Sequence, residues 1–283
     1  MSDSGGVKYV SAAYSQWTSP EGTLGTIVRE AHARAAELEE RRAELEQTAA
    51  NVGVGPSLAD ALRRETVGLI AEVKRKSPSR GDIAPRLDAL AQATHYLEGG
   101  AVALSVLTEP AHFGGSPQDV LDVRRSVLLP ILKKDFHVAP IQLIEARALG
   151  ASAALLIVRA LSLEALSIMM QAGEALSLEL LVEVRDEAEL ARALDAGATI
   201  VGVNNRNLES LVIDPSTAER LIPRIPSDVV AVAESGIVSR KDIQRYAAAG
   251  ADAVLVGSSL SGAVDVARAT RDLTGVIRRV RGR

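Results

Sequence analysis

The stretch LIAEVKRKSPS, residues 69 to 79, carries two charges, Glu72 and Lys74, at the end of an otherwise apolar strand pattern. Alternation along a strand puts both on one face. Three more apolar runs end in the same way: Lys133 and Lys134 close LLPILKK, Glu183 lies in LELLVEV, and Glu234 lies in VVAVAES. Taken singly, a lysine at a strand end is usually solvated, and a nearby glutamate simply pairs with it. Brought to one partly desolvated place, Glu72, Lys74, Lys134, Glu183 and Glu234 would instead be an acid–base site, because burial and neighbouring charge move such groups toward catalytic use.

A fold that gathers strand ends must then exist, and the chain repeats as such a fold requires. Four segments begin with a glycine suited to a helix C-terminus, run on as an apolar strand and end in polar residues: GAVALSVLTE from Gly100, GASAALLIVR from Gly150, GATIVGVNNR from Gly197 and GADAVLVGSS from Gly250. Between them lie GLIAEVK (68–74), LLPILKK (128–134), LELLVEV (178–184) and VVAVAES (229–235), with helical patterns such as 141–149, 187–196 and 240–249 in the gaps. Eight strands alternating with helices predict a (β/α)8 barrel, whose working face is the C-terminal ends of its strands. A doubly wound open sheet is the rival, but an even two-unit repeat suits closure better.

At 283 residues the length suits one barrel, and a composition 47% apolar but only 2% aromatic calls for the aliphatic core of a parallel sheet. Before the barrel, Leu24, Ile27, Val28, Ala31, Ala35, Leu38 and Leu45 share one stripe of an amphipathic helix near residues 22–48. NVGVGPS, residues 51–57, marks the boundary, so residues 1–55 are expected to be an arm and extra helix, and 56–283 the barrel.

The even strands add polar groups of another kind. Asn204, Asn205 and Arg206 follow strand 6 and would orient a polar substrate, although Asn there is also ordinary turn chemistry. Strands 7 and 8 end in ESGI and VGSSL, where Gly236, Gly257, Ser258 and Ser259 would let backbone N–H groups approach an anion; these are the recurring phosphate loops of the fold. The two phenylalanines, Phe113 and Phe136, follow strands 2 and 3 and suggest a substrate with a flat ring, against the commoner use of Phe as core filling.

Other chemistries find less support. The histidines, His32, His95, His112 and His137, lack metal-ligand spacing, with His112 and His137 expected in loops; no phosphate-binding or dinucleotide-binding glycine motif appears, and no cofactor is implied. A formal charge of −4 gives no footprint for nucleic acid, and the basic end RRVRGR reads as a solvated helix end. The absence of cysteine fits a reducing cytoplasm, and neither a signal segment nor an apolar run near the ~20 residues of a membrane helix is present.

The set AEVKRKSPSRG, LSVLTEPAHFGGS, ILKKDF, LLIVRAL, LVEVRDEAEL, VGVNNRNL, VAESGI and VLVGSSL, in this order, resembles the indole-3-glycerol phosphate synthase family over residues 56 to about 262. The resemblance implies closure and decarboxylation of a carboxyphenylamino deoxyribulose phosphate, with Lys134 as general acid for ring closure and Lys74 and Glu183 sharing the dehydration. It implies that Glu72 tunes Lys74, that Asn204 and Glu234 touch the reacting centre, and that Arg206 supports substrate or loops. Ser77, Ser235, Gly236, Gly257 and Ser258 would form the phosphate site, while Pro78, Phe113, Phe136, Leu155 and Leu208 would enclose the anthranilate ring. It also implies a cytoplasmic, cofactor-free monomer acting on a phosphorylated small molecule, open to contact with neighbouring pathway enzymes. In the family an extra helix precedes the barrel and its leading segment helps cover the site, a role open to the helix near 22–48 and the arm with Trp17. The chain departs from the pattern at Lys133, where Arg is usual, and at Ile141-Gln142, where Tyr-Gln is usual. The nearest rival, phosphoribosylanthranilate isomerase, uses an early cysteine that this chain lacks. A non-catalytic phosphate binder would need only the phosphate loops, not the lysines and Glu183.

Overall fold

Eight apolar stretches pair in parallel as β1 (Gly68–Val73), β2 (Ala103–Leu107), β3 (Ile131–Lys134), β4 (Ala153–Ile157), β5 (Glu179–Val184), β6 (Ile200–Asn204), β7 (Val230–Glu234) and β8 (Ala253–Val256). Each strand pairs with its sequence neighbours and β8 returns to β1, so the sheet closes as a (β/α)8 barrel in this computed structural model, which describes residues 17–281. Gly100, Gly150, Gly197 and Gly250, before the even strands, have φ of +91°, +80°, +85° and +96°, the left-handed conformation that ends a helix and aims the chain into the next strand.

Alternation sorts the strand residues into two cores. Leu69, Ala71 and Val73 of β1 face the surrounding helices, whereas Ile70, with Leu132, Leu155, Leu181, Ile200, Val232 and Leu255, fills the barrel. The segments before β1 touch this interior at both ends. Helix α1 (Gly22–Glu39) brings Leu24, Ile27, Val28 and Ala31 to it, and the five-residue α3 (Leu58–Leu62) brings Leu58 and Leu62. The α3 backbone is held by Glu179 at the start of β5, whose carboxylate accepts from Leu58 and Ala59 N–H and the Ser57 hydroxyl. Thus α3 seals the N-terminal mouth of the barrel.

The single amphipathic helix expected near residues 22–48 is two helices. The stripe breaks at Glu40–Arg41, and α2 (Arg42–Asn51) follows. Leu45 and Ala49 of α2 pack with Ala35 against Ile141, Ile144 and Ala148 of the helix after β3, a different surface from the one that Leu24 and Ile27 meet. The chain must turn there to pass from the mouth to the outer wall. Residues 1–16 of the expected arm lie outside the described residues.

The basic end also differs from expectation. Among the described residues it is extended rather than helical: Val67 N–H donates to Val276 O at 2.8 Å, Arg278 N–H to Glu65 O at 2.9 Å, and Thr66 bridges Ile277 antiparallel. Arg278 and Arg281 converge on the buried Asp252, Arg281 at 2.8 Å, and Arg281 also donates to the carbonyls of Ile225, Pro226, Val229 and Gly250. The arginines are therefore structural fasteners at the N-terminal face, where carbonyls of the turns entering β7 and β8 need donors. Asp252→Ala, which strands the Arg281 charge, is expected to cost about 3–5 kcal/mol in urea unfolding, with kcat unchanged at the far face. A loss below about 1 kcal/mol would mean that the tail is only laid on the surface.

Candidate active site

The inward register of β1 carries Ile70, Glu72 and then Lys74 to the C-terminal mouth, and the same alternation points Lys134, Glu183, Asn204 and Glu234 inward from β3, β5, β6 and β7. One cavity is lined by the polar residues among them, Glu72, Lys74, Lys134, Glu183, Asn204 and Glu234, and also by Ser77, Pro78, Phe113, Phe136, Leu155, Arg206, Leu208, Ser235, Gly236, Gly257, Ser258 and Ser259. The other site residues singled out in the sequence are thus brought to one place, but Asn205 is not: it is fully buried, its amide donates to Ser235 O and to the Tyr246 hydroxyl, both at 3.0 Å, and accepts from Ala218 N–H at 3.0 Å, so it braces the chain after β6 instead of orienting a substrate.

Lys74 Nζ lies 3.2 Å from Glu72 Oε1 and 5.5 Å from the centre of the Phe113 ring. Lys134 Nζ lies 3.6 Å from Glu183 and 3.5 Å from Glu234. Asn204 donates to Glu183 Oε1 at 2.8 Å, and its own carbonyl receives the Arg206 N–H at 2.8 Å. Arg206 in turn donates to Leu211 O at 2.8 Å, fixing the loop that carries Leu208. The Phe113 and Phe136 rings stand 6.1 Å apart at a tilt of 38°, side walls for a flat group.

Three glutamates face two lysines here, and the glutamates are only 2–3% exposed. Burial resists charge on Glu72, but Lys74 and then Lys134 outweigh it and hold its carboxyl below the usual range. Burial likewise opposes the Lys134 ammonium, yet Glu234, Glu183 and Glu72 together raise it above the ordinary lysine value. The surplus proton settles on Glu234, whose carboxyl is pushed up to about 8 by burial and, against the pull of Lys134, by Glu183 and Glu72. Its Oε1 is buried with no hydrogen-bond partner among the described residues, a placement that a neutral acid tolerates better than an anion.

Room for these carboxyls is cut by two glycines. A Cβ at Gly202 would run into Glu234 Oε1, and one at Gly257 into Glu72 Oε1. Beyond Glu234 the chain turns at Ser235 (φ +67°) and Gly236 (φ +78°), and a serine in this conformation stores strain of about 1–3 kcal/mol of the kind found at ligand sites. The Ser77 hydroxyl, also on the cavity wall, is buried without a hydrogen-bond partner among the described residues.

Some lining residues carried no individual role in the sequence. Thr23, Leu24 and Ile27 come from α1, expected there only as a helix that could cover the site, and Arg80 comes from the loop after β1. Burial and then the nearby Arg80 charge pull the Arg206 guanidinium down from its ordinary value. Ser105, a polar break in an apolar strand, donates to Glu72 Oε2 at 3.2 Å. Gln142 braces the turn after β3, accepting from Val138 and Ala139 N–H at 2.7 and 3.1 Å and donating to Phe136 O at 3.1 Å.

Trp17 donates to Arg159 O at 3.3 Å, tying the end of the arm to the loop after β4. His112 lies in a short helix, Pro110–Phe113, rather than a loop, because Glu109 caps three N–H groups there. Glu30, Glu109 and His112 do cluster within 4.8 Å, but Glu109 is taken by those N–H groups and His112 Nε2 by Glu30 at 2.8 Å. No helix among the described residues is long and apolar enough to cross a membrane.

Buried acid–base groups at the C-terminal mouth of a closed parallel barrel define a (β/α)8 barrel enzyme. A family model described as indole-3-glycerol phosphate synthase matches residues 24–273. The indole-3-glycerol phosphate synthase of Streptomyces griseus subsp. griseus is 51% identical over 243 residues, covering 84% of this chain and 90% of that protein. That of Rhodococcus jostii is 47% identical over 227 residues, covering 80% and 84%. Among solved structures, thiamine phosphate pyrophosphorylase from Pyrococcus furiosus shares the fold alone, with a TM-score of 0.54 and 19% identity over 75% of this chain and 95% of that one. The chain belongs to the indole-3-glycerol phosphate synthase family. Its reaction is that of a carboxy-lyase of tryptophan biosynthesis, converting 1-(2-carboxyphenylamino)-1-deoxyribulose 5-phosphate to indole-3-glycerol phosphate with loss of carbon dioxide and water.

Proposed function

We propose that Lys134 is the general acid of ring closure, and that Lys74 and Glu183 are the acid and base of dehydration. The observation that carries this reading is the placement of the two ammonium groups on opposite partners: Lys134 between Glu183 and Glu234, Lys74 on Glu72. When the ring carbon bearing the carboxylate attacks the ribulose carbonyl, the new C–C bond drives the carbonyl electrons onto oxygen, and Lys134 protonates that alkoxide. The carboxylate leaves as carbon dioxide, and its bonding electrons return to the ring. Loss of the new hydroxyl then needs a proton for the departing oxygen and a base for a substrate proton. Among the described residues the hydrogen-bond and ion-pair partners of Glu183, Asn204 and Lys134, are both donors, which fits it for the base; Lys74, an ammonium on Glu72, fits the acid.

Asn204 and Glu234 flank the reacting centre, and Glu72 holds Lys74. The phosphate goes to Ser77, Ser235, Gly236, Gly257 and Ser258, a reading supported by the unpartnered Ser77 hydroxyl and the strained turn. The ring goes between Phe113 and Phe136, with Pro78, Leu155 and Leu208 around it and Arg206 bracing the loop. Anchored at both ends, the substrate is held in a near-attack geometry. The α1 residues Leu24 and Ile27 roof the ring end, so the described part of residues 1–55 serves the barrel as one catalytic unit with it. All these groups come from one chain, which supports a working monomer, and a cysteine-free chain suits the cytoplasm.

Lys74→Ala separates the two halves of the reaction. With no metal or nucleotide added, a single turnover is expected to release carbon dioxide while the fluorescent indole product fails to appear on the same timescale. If carbon dioxide release and fluorescence are blocked together, Lys74 belongs to ring closure and the division of roles is wrong.

A further inference from the structure

Strand alternation turns Lys134 into the mouth and Lys133 away from it. Lys133 is 1% exposed, and its Nζ lies 3.0 Å from Glu145 on the helix Pro140–Ala148, 3.6 Å from Asp135 and 3.3 Å from His137 Nε2. His137 is 2% exposed, and its Nδ1 lies 2.8 Å from Leu155 O. A carbonyl only accepts and an ammonium only donates. Both contacts therefore hold together in one state alone: a neutral imidazole with its proton on Nδ1.

This ring stands where the barrel wall is thin. β3 and β4 share two register pairs, Leu132↔Ala153 and Lys133↔Ala154, whereas β4 and β5 share five. Past Lys133 the ladder stops, and His137 carries the connection on to Leu155. Both sides of that bridge are walls of the site, since Phe136, next to His137, and Leu155 line the ring end of the cavity. Asp135 secures the same turn, accepting from Phe136 N–H at 2.8 Å, Arg34 of α1 at 2.9 Å and the Thr108 hydroxyl at 2.6 Å.

We propose that His137, neutral and protonated on Nδ1, is a positioning residue that clamps the end of β3 to β4 and so holds Lys134, Phe136 and Leu155 in register with one another. The proposal rests on Lys134 being the general acid. The charged groups around the ring are Lys133 and Asp135 on its own segment, Glu145 from the following helix and Arg34 from α1. Burial and then Lys133, with Arg34 adding a little, push the imidazolium down to about 3 against the pull of Asp135 and Leu155 O.

Two measurements test the clamp. Nitrogen-15 NMR of the full chain, with His137→Asn to assign the signals, is expected to show Nδ1 protonated and Nε2 bare, without titration between about pH 5 and 9. Protonation on Nε2, or an ordinary titration, would overturn the proposal. In kinetics, His137→Leu is expected to lower kcat/KM about 10- to 100-fold, the scale of a misplacement of roughly 1 Å. His137→Asn, whose side-chain N–H still reaches toward Leu155 O, should recover to within roughly threefold, the deficit being the lost Lys133 contact. Equal losses in both variants that merely follow Tm would reduce the histidine to packing and sink the clamp. The NMR result does not depend on the role of Lys134, so failure of the clamp and failure of the acid assignment are told apart.

Discussion

Lys134→Ala is expected to lower kcat by about 10²- to 10⁴-fold, the worth of a positioned general acid, while a phosphate-bearing substrate analogue still binds. Binding should survive because the groups proposed for the phosphate, Ser77, Gly236, Gly257 and Ser258, come from the loops after β1, β7 and β8, whereas the ion-pair partners of Lys134 are Glu183 and Glu234. The alanine variant alone leaves an ambiguity, since it removes a charge from between Glu183 and Glu234 as well as a proton donor. Lys134→Arg resolves it: a guanidinium keeps the positive charge but does not give up its proton at any working pH. If Lys134 acts as an acid, the arginine variant stays nearly as slow as the alanine one. If it acts only as a fixed charge, arginine restores most of the rate. A near-normal rate in Lys134→Ala, measured by indole fluorescence at saturating substrate, removes Lys134 from the chemistry altogether.

The inward pair Glu72 and Lys74 was legible in the sequence because a strand has a period of two, so a charged pair two apart must share a face. Barrel closure was legible because glycine-led strands recur at even spacing, and closure then brings odd-strand ends together whatever their sequence distance. The helix pattern was less informative at Glu40–Arg41, since Leu45 continues the stripe of Leu24 although the two meet different surfaces. An amphipathic pattern reports that a face is buried, not what buries it. The tail misled for a related reason. Arg281 looks like a solvated charge in sequence, but its acceptors are carbonyls at Ile225, Pro226, Val229 and Gly250, defined only once the N-terminal face has formed. The space that Gly202 gives Glu234 is equally a property of two neighbouring strands and of neither alone.

That space leads to the second large effect, which lies in pH dependence. Glu234 is held near 8 in the fold against an ordinary value of 4.5, chiefly because burial disfavours its anion and Glu183 and Glu72 oppose a third charge. Unfolded, it ionises without cost above about pH 4.5; folded, it must keep its proton until about pH 8. Its contribution to stability is therefore fully present below pH 4.5 and is lost as pH rises through 8, a change on the order of a few kcal/mol. Glu234→Gln keeps the shape and removes the titration. Urea unfolding between those limits should show a flatter stability profile for the variant than for the parent, and greater stability at the alkaline end. In kinetics the parent should lose kcat/KM as pH passes about 8, because the free enzyme then faces an anionic substrate with one more buried negative charge. The variant should lack that limb even where the glutamine lowers the rate at every pH. Parallel stability profiles for parent and variant would take the proton off Glu234 and would require Glu234 to work as a standing carboxylate beside Lys134.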